Sequence, residues 1–342
     1  MTRKIAMEGK KLLIVGAGGF MGSHFAEAAL GRGLDVWAGV RRSTSRRYLT
    51  DARLHFAVFD FSDPASLAET LRAEMPDGGW DYIIYNLGAT KALRFEDFNR
   101  VNYQYLRTFL DALRQAGAVP RKFLYMSSLS VLGKGDEKGY TPFTETSPAI
   151  PDTRYGASKL KAEMELTMSG LPYIIFRPTG IYGPRDHDYY LMLESLQRGF
   201  NLGAGYKKQL LTFIYGPDLA LAALDALEKA PVGNTYLLSE KRSYTQREYR
   251  RLAARALGKR HYLNITVPLW GVKAVSAIAE KIGAARGKPS TLNTDKYNIM
   301  RQRNWQADVS AAERDFGFTA PTSLSEGLAA TVAWCRSAAW LK

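Results

Sequence analysis

The sequence is poor in several things that would each have pointed to a class of protein. It has a single cysteine, Cys335, and four histidines in 342 residues. One thiol excludes an internal disulfide and any cysteine-based zinc site, and it fits a reducing compartment. No uncharged apolar run approaches the ~18 residues of a membrane helix; the longest candidate, around Leu12–Phe25, is interrupted by four glycines. Low-complexity segments and internal repeats are absent, so disordered, collagen-like and coiled-coil classes fall away. Lys4, Lys10 and Lys11 ahead of Leu12–Val15 imitate a secretory leader, but a glycine-rich stretch follows and no small-residue cleavage site does. The expectation is a chain that starts near Met1 and is cytoplasmic, with no stable membrane anchor and no metal.

Acidic residues are also in deficit, 33 against 47 lysines and arginines, for a net charge of +14. Such a charge suits nucleic acid, a membrane surface or an acidic small molecule. The densest basic cluster is Arg41, Arg42, Arg46 and Arg47, yet no helix-turn-helix, zinc-finger or RNA-binding sheet pattern accompanies it. A small-molecule substrate is expected, and nucleic acid is not.

What is present is an alternation of short apolar runs with helical patterns. The runs are Leu12–Val15, Val36–Val40, Leu54–Phe59, Tyr82–Tyr85, Phe123–Met126 and Tyr173–Phe176. Helix-like stretches lie at Phe20–Leu30, Pro64–Ala73, Phe95–Ala116 and Tyr155–Met168, with Gly31, Gly33 and Gly117 at helix ends. Six such units in a row predict an α/β fold, a Rossmann-type doubly wound parallel sheet. The expected division is a dinucleotide-binding domain at 1–177 and a smaller, mostly helical substrate region at 178–342, some of whose elements return to the core. In that second half the spacing predicts a strand at Leu210–Tyr215 and helices at Asp218–Lys229 and Gln246–Leu257. Leu269, Val272, Val275, Ile278 and Ile282 form a helical stripe, read first as a helix packed on its own core. A lid over an apolar substrate or a membrane-touching face are the other readings.

Gly16, Gly19 and Gly22 directly follow the first strand and open the first helix. This spacing gives a tight turn, a close approach of backbone to a pyrophosphate, and close helix–strand packing. The phosphates would rest on the helix N-terminus beside Phe20 and Met21. An acid at the end of the second strand would bind the adenosine ribose and repel a 2′-phosphate; Arg41 and Arg42 stand there instead. A guanidinium fork matches phosphate oxygens, so NADP(H) is expected, with Arg41 the first contact and NAD(H) the alternative. Asp60 and Phe61 end the third strand at the adenine, and Leu87, Gly88 and Ala89 end the fourth beside the nicotinamide ribose.

Tyr155 and Lys159 are four residues apart, on one face of a helix. A free phenol has a pKa near 10. Using its phenolate near neutrality requires a depression of roughly three units, which a lysine cation and an oxidised nicotinamide are placed to supply. Tyr155 would then act as general acid and base, with Ser128, at the end of the fifth strand, bonded to the reacting oxygen.

In this order the motifs resemble the extended short-chain dehydrogenases/reductases, a family that includes nucleotide-sugar epimerases and dehydratases, 3β-hydroxysteroid dehydrogenases and dihydroflavonol reductases. The likeness runs the length of the chain. It takes in the glycine loop, Val101-Asn102, Ser127 to Gly133, the Tyr155/Lys159 pair, Arg177 to Pro184, Phe213-Ile214-Tyr215, Gly317-Phe318 and Leu324 to Leu328. The resemblance implies that Ser128, Tyr155 and Lys159 are the catalytic set and that Asn102 supports the site. It also implies that Pro178, Thr179 and Ile181 line the nicotinamide.

Departures from the family pattern narrow the chemistry. Ser128-Leu129-Ser130 stands where 4,6-dehydratases have Thr-Asp-Glu, so the acid pair for water elimination is missing. Leu211 stands where nucleotide-sugar enzymes typically carry an arginine for the substrate pyrophosphate, although Lys207 and Lys208 are available as substitutes. Candidate substrate contacts are Lys91, Ser130, Tyr182 and Arg185. The leading expectation is an NADP(H)-dependent reductase or dehydrogenase acting on a secondary alcohol or ketone of an apolar or modestly polar substrate. A nucleotide-sugar epimerase or reductase is the first alternative and a non-catalytic NADP-binding sensor the second. The resemblance further implies a homodimer formed through the Phe95–Ala116 and Tyr155–Met168 helices.

Overall fold

Leu12, Leu13, Ile14 and Val15 are each at most 1% exposed. A strand that is apolar on both faces has to be covered on both, which a parallel sheet flanked by helices achieves. The computed structural model describes residues 7–92, 94–287, 290 and 292–341, and this is the architecture it shows. The first half runs β1 (Lys11–Val15), α1 (Phe20–Gly31), β2 (Asp35–Val40), β3 (His55–Val58), α2 (Pro64–Glu74) and β4 (Tyr82–Tyr85). It continues through α3 (Phe95–Phe98), a π-helical stretch at Asn99–Gln104, α4 (Tyr105–Ala116), β5 (Lys122–Met126), α5 (Arg154–Met168) and β6 (Tyr173–Pro178). Next come β7 (Gly180–Tyr182), α6 (His187–Gln197), β8 (Phe200–Ala204), β9 (Leu210–Leu211), β10 (Phe213–Tyr215), α7 (Gly216–Lys229) and β11 (Asn234–Leu238). The chain closes with β12 (Tyr244–Thr245), α8 (Gln246–Leu257), β13 (Leu263–Val267), α9 (Leu269–Ala285), α10 (Thr294–Arg301), α11 (Ser310–Phe316) and α12 (Leu324–Ser337).

Seven parallel strands form the sheet in the order β11-β6-β5-β4-β1-β2-β3. One face packs α1, α7 and α11 through residues such as Phe25, Leu227 and Phe316. The other packs α2, α4 and α5 through Leu67, Phe109 and Leu166. The strand order reverses between β1 and β4, and that crevice at the carboxyl ends is where open α/β sheets bind ligands. A third apolar cluster joins α6, α8 and α12 around Phe213, Tyr249 and Leu328. The expected division at 177/178 falls inside β6, and the chain returns afterwards to the sheet with α7, β11 and α11.

Several elements depart from the sequence reading. The helix expected over Phe95–Ala116 is interrupted by the π-helical stretch, which carries the fully buried Asn102. The strand expected over Leu210–Tyr215 is divided at Thr212, whose hydroxyl donates to the Trp305 carbonyl at 2.5 Å. As a result β9 pairs with β12 and β10 with β7. The helix at 269–282 is present, but Val275, Ile278 and Ile282 of its stripe are exposed, so packing on its own core is not what the stripe does. No helix among the described residues is long and apolar enough to cross a membrane.

One buried ion pair fastens α5 to the sheet. Arg177 of β6 donates from Nε and Nη2 to the two Glu163 carboxylate oxygens at 3.1 and 2.6 Å, with both residues buried. Removing one member of such a pair strands a charge in the interior, at a cost of about 3–5 kcal/mol. Glu163→Ala is therefore expected to lower the unfolding free energy measured in urea by that amount, moving the midpoint down with it, and Glu163→Leu/Arg177→Met to recover most of it. A Glu163→Ala midpoint equal to wild type would show that the pair contributes nothing.

Candidate active site

The glycine turn is shaped for close approach. Gly16 has φ +86°, and a Cβ there would lie 2.9 Å from the Leu87 backbone nitrogen. A Cβ at Gly22 would collide with the Gly16 carbonyl oxygen. Gly19 is the N-cap of α1, with no side-chain cap and no acid in the first turn. The first N–H groups of α1 are thus open to an anion, in the place where the helix dipole favours one. Phe20 packs partly against the core and Met21 is buried in it, so at this turn Met21 offers a ligand its backbone alone. Two further features fit a dinucleotide. The hydroxyls of Ser127 and Thr179, at the carboxyl ends of β5 and β6, are buried with no partner among the described residues.

Beyond β2, Arg41 and Arg42 are exposed. The Arg41 guanidinium has no ion pair among the described residues, while Arg42 contributes to holding the Asp60 carboxyl below its usual range, mainly the work of hydrogen bonds from Ser62. Arg46 and Arg47, the other members of the basic cluster, stack on Phe56 and Tyr48 at 4.2 and 4.4 Å. Phe61 does not face a ligand: it is 6% exposed, its ring stacked on Tyr105 at 5.3 Å.

At the reacting end, α5 brings Tyr155 and Lys159 to the mouths of β4 and β5. Lys159 Nζ donates to the Met126 carbonyl at 2.7 Å and lies 4.8 Å from the Tyr125 ring centroid. A Cβ on Gly88 would sit 3.2 Å from both Lys159 Nζ and Asn102 Oδ1, a tight contact that would press on both groups. Asn102 accepts from the Ala89 N–H at 2.7 Å and donates to Ala89 O at 3.1 Å and Ser158 Oγ at 2.9 Å. Its amide is thereby committed to joining the β4 exit to α5 and is not directed at a cofactor. The Ser128 hydroxyl is 3.0 Å from that of Ser130 and hydrogen-bonds to the Tyr155 phenol.

In the chain alone, burial governs the electrostatics of the pair. Burial pushes Tyr155 up to about 12, the Ser128 hydrogen bond opposing it. Burial also pulls Lys159 down to about 8, with Glu163 opposing. Desolvation disfavours both charged forms, so the chain's own residues do not create a phenolate.

The remaining substrate candidates are dispersed. Lys91 is paired with Asp188 of α6 at 2.5 Å. Tyr182 is 1% exposed, packed in the third cluster against Gly327, and donates to Ser323 O at 3.4 Å; the structure buries it away from the site. Arg185 pairs with Glu27 of α1 and lies over the Tyr48 ring at 4.8 Å. Pro178 is buried and Ile181 packs on the core. Sequence reasoning missed Ser158, the Glu163–Arg177 pair and Asp295. The Asp295 carboxylate, from α10, accepts from the Arg154 and Tyr155 N–H groups at 3.1 Å each. No local motif marks a residue that reaches its partner across 140 positions.

Comparison with known proteins gives this geometry a setting. The model of the NAD dependent epimerase/dehydratase family matches residues 12–239. The ceramide reductase of Caulobacter vibrioides is 28% identical over 330 residues, covering 96% of this chain and 95% of that one. An uncharacterized UDP-glucose epimerase of Bacillus subtilis, YtcB, is 26% identical over 357 residues, covering 96% and 98%. Among solved structures, a dTDP-glucose 4,6-dehydratase from Bacillus anthracis in complex with NAD superposes with a TM-score of 0.76 at 18% identity, covering 97% and 99%.

Lys159 bears on stability as well as chemistry. Its ammonium has a folded value of about 8 against 10.5 for the unfolded chain. Between those values the unfolded chain holds more protons, so stability rises with pH across that window and the full penalty, on the order of 3 kcal/mol, applies below it. Lys159→Met is expected to raise the melting temperature at pH 7, the gain shrinking toward pH 10, while turnover is lost. A gain that does not vary with pH would contradict this assignment.

Proposed function

The chain belongs to the NAD-dependent epimerase/dehydratase family, the extended short-chain dehydrogenases/reductases, and we propose that this nicotinamide-dependent enzyme is an NADP(H)-dependent reductase of an apolar or amphiphilic ketone. The observation that carries the reading is the meeting of Ser128, Tyr155 and Lys159 at the carboxyl edge of the sheet, with the phenol held protonated. A protonated phenol is the form that donates to a carbonyl oxygen.

The glycine turn and the α1 N-terminus would hold the cofactor's pyrophosphate, Lys159 its nicotinamide ribose, and Arg41 its 2′-phosphate. When bound, the reduced cofactor supplies the hydride. The chain's residues then have separate tasks. Ser128 orients the substrate oxygen through its hydroxyl. Tyr155 gives its proton to that oxygen as negative charge develops there, a contribution of 10²–10⁴-fold for a positioned general acid. Lys159, cationic below about pH 8, stabilises the phenolate left behind, so reduction is favoured on the acid side of that value. Asn102 and Ser158 keep the β4 exit seated against α5.

Support for an apolar substrate comes from Leu211, which is paired with Tyr244 in the β9–β12 ribbon, and from the similarity to ceramide reductase. A specific observation favours the second reading, a nucleotide-sugar epimerase or reductase: a cavity of about 260 Å³ is lined by Gln209 and by Lys207, Arg301 and Arg303, three cations that suit a diphosphate. The homodimer is likewise a proposal, supported by the exposure of Met164 and Met168 on α5.

NADPH consumption, with NADH as control, across long-chain keto-lipids, ketosteroids and keto-sugar nucleotides tests the reading. Turnover of an apolar ketone with NADPH is expected, Arg41→Ala raising the KM for NADPH about tenfold and leaving that for NADH unchanged. Tyr155→Phe is expected to lower kcat at least 10²-fold with cofactor affinity within about twofold. Turnover of sugar nucleotides alone would establish the second reading, and cofactor binding without turnover on any substrate would favour a sensor.

A further inference from the structure

Helix α9 is packed the wrong way round for a helix that belongs to a core. The residues it buries include Ser276 and Gly283, with Val272 the one large apolar side chain among them. Its bulk points to solvent: Trp270 is 76% exposed, Ile278 59%, Val275 53% and Ile282 46%. Trp270, Ala274, Ile278 and Ile282 follow one another at intervals of four and form a ridge; with Val275 they span a largely apolar arc of about 140° at 100° per residue, in which the exposed Lys281 stands between Trp270 and Ala274. Pro268 alone separates α9 from β13, which pairs in parallel with β8. In that ribbon Leu263 stands opposite Phe200 and Ile265 opposite Leu202, and all four are exposed.

The charges on α9 select the occupant. Lys273, Lys281 and Arg286 are exposed. The helix's acid, Glu280, turns inward to Arg154 and to Thr294, whose N–H it accepts at 3.0 Å and whose hydroxyl at 2.6 Å. The outer face is therefore apolar and purely cationic, on a chain of net charge +14. Two copies meeting through it would oppose like charges. An apolar arc with a tryptophan, one lysine beside it and one within it is a composition that lies in a bilayer interface, the lysine stems reaching up to the head groups. We propose that α9, continued by the β8–β13 ribbon, is a peripheral docking surface for a lipid bilayer with anionic head groups.

Docking would also reach the candidate active site. Glu280 of α9 and Asp295 of α10 both bind Arg154, and Asp295 caps the backbone of Tyr155. A chain seated on lipid through α9 would hold the start of α5 immediately behind the contact. The docking surface itself stands whether or not the reductase reading does.

The test is cosedimentation of the full chain with vesicles of phosphatidylglycerol and phosphatidylcholine, against phosphatidylcholine alone, at low and high salt. Binding to the anionic vesicles that falls with salt is expected. Ile278→Glu/Ile282→Glu should weaken it at least tenfold with the melting temperature unchanged, and Trp270→Ala, a gentler change, should weaken it severalfold. Each of Lys273→Gln and Lys281→Gln should cost roughly fivefold. Absence of binding to anionic vesicles would overturn the proposal, as would binding unaffected by any of these variants. So would a dimer in sedimentation equilibrium that Ile278→Glu/Ile282→Glu dissolves in a chain that ignores vesicles.

Discussion

A lysine ammonium held in the protein interior is the constraint around which the rest of this structure is arranged. Lys159 is 4% exposed and sits where burial disfavours its charge. The fold tolerates it because three things meet there. The Met126 carbonyl at the end of β5 accepts a hydrogen bond from it, the Tyr125 ring face lies beside it, and Glu163, one turn along α5, opposes the desolvation. Glu163 is itself neutralised by Arg177 of β6. A chain of charges thus runs from the sheet through α5 to the candidate site, and each link would be costly without the next.

The same arrangement fixes the chemistry that the site is prepared to do. Because low polarity raises the phenol and lowers the ammonium together, the resting pair is a proton donor beside a cation that titrates near pH 8. That is a poised acid for a developing alkoxide, preorganised at no further cost when substrate arrives. The glycine contacts serve the same economy of space: at Gly88 a Cβ would crowd both Asn102 and Lys159.

Much of this was legible in the sequence, for reasons that differ by element. Six strands were readable because their apolar runs are short and continuous, which follows directly from burial on both faces. The glycine turn and the Tyr155/Lys159 spacing were readable because both are local geometry. What was not legible depends on distance. Asp295 caps α5 from the far end of the chain, and Tyr182, polar and within a motif, turned out to fill a hydrophobic cluster under α12. The spacing makes α9 amphipathic, but periodicity gives only the direction of an apolar face relative to its own helix, and the reading of that face as core is overturned by its exposure. Which side the protein lies on is decided by tertiary packing, and here it lies on the side of Ser276 and Gly283. The phenol shows a related limit: the expected lowering draws on a lysine and an oxidised nicotinamide together, and in the chain alone burial raises the phenol and lowers the ammonium.

The claim that a buried, depressed ammonium organises the site is tested most directly by titrating Lys159 itself, with isotope-labelled lysine followed by NMR and the resonance assigned through Lys159→Met. A midpoint near pH 8, moving lower in Glu163→Gln as the opposing charge is removed, is the result this account requires. A midpoint in the ordinary range near 10.5, indifferent to Glu163, would mean that the ammonium is solvated and that the site is held together by something else.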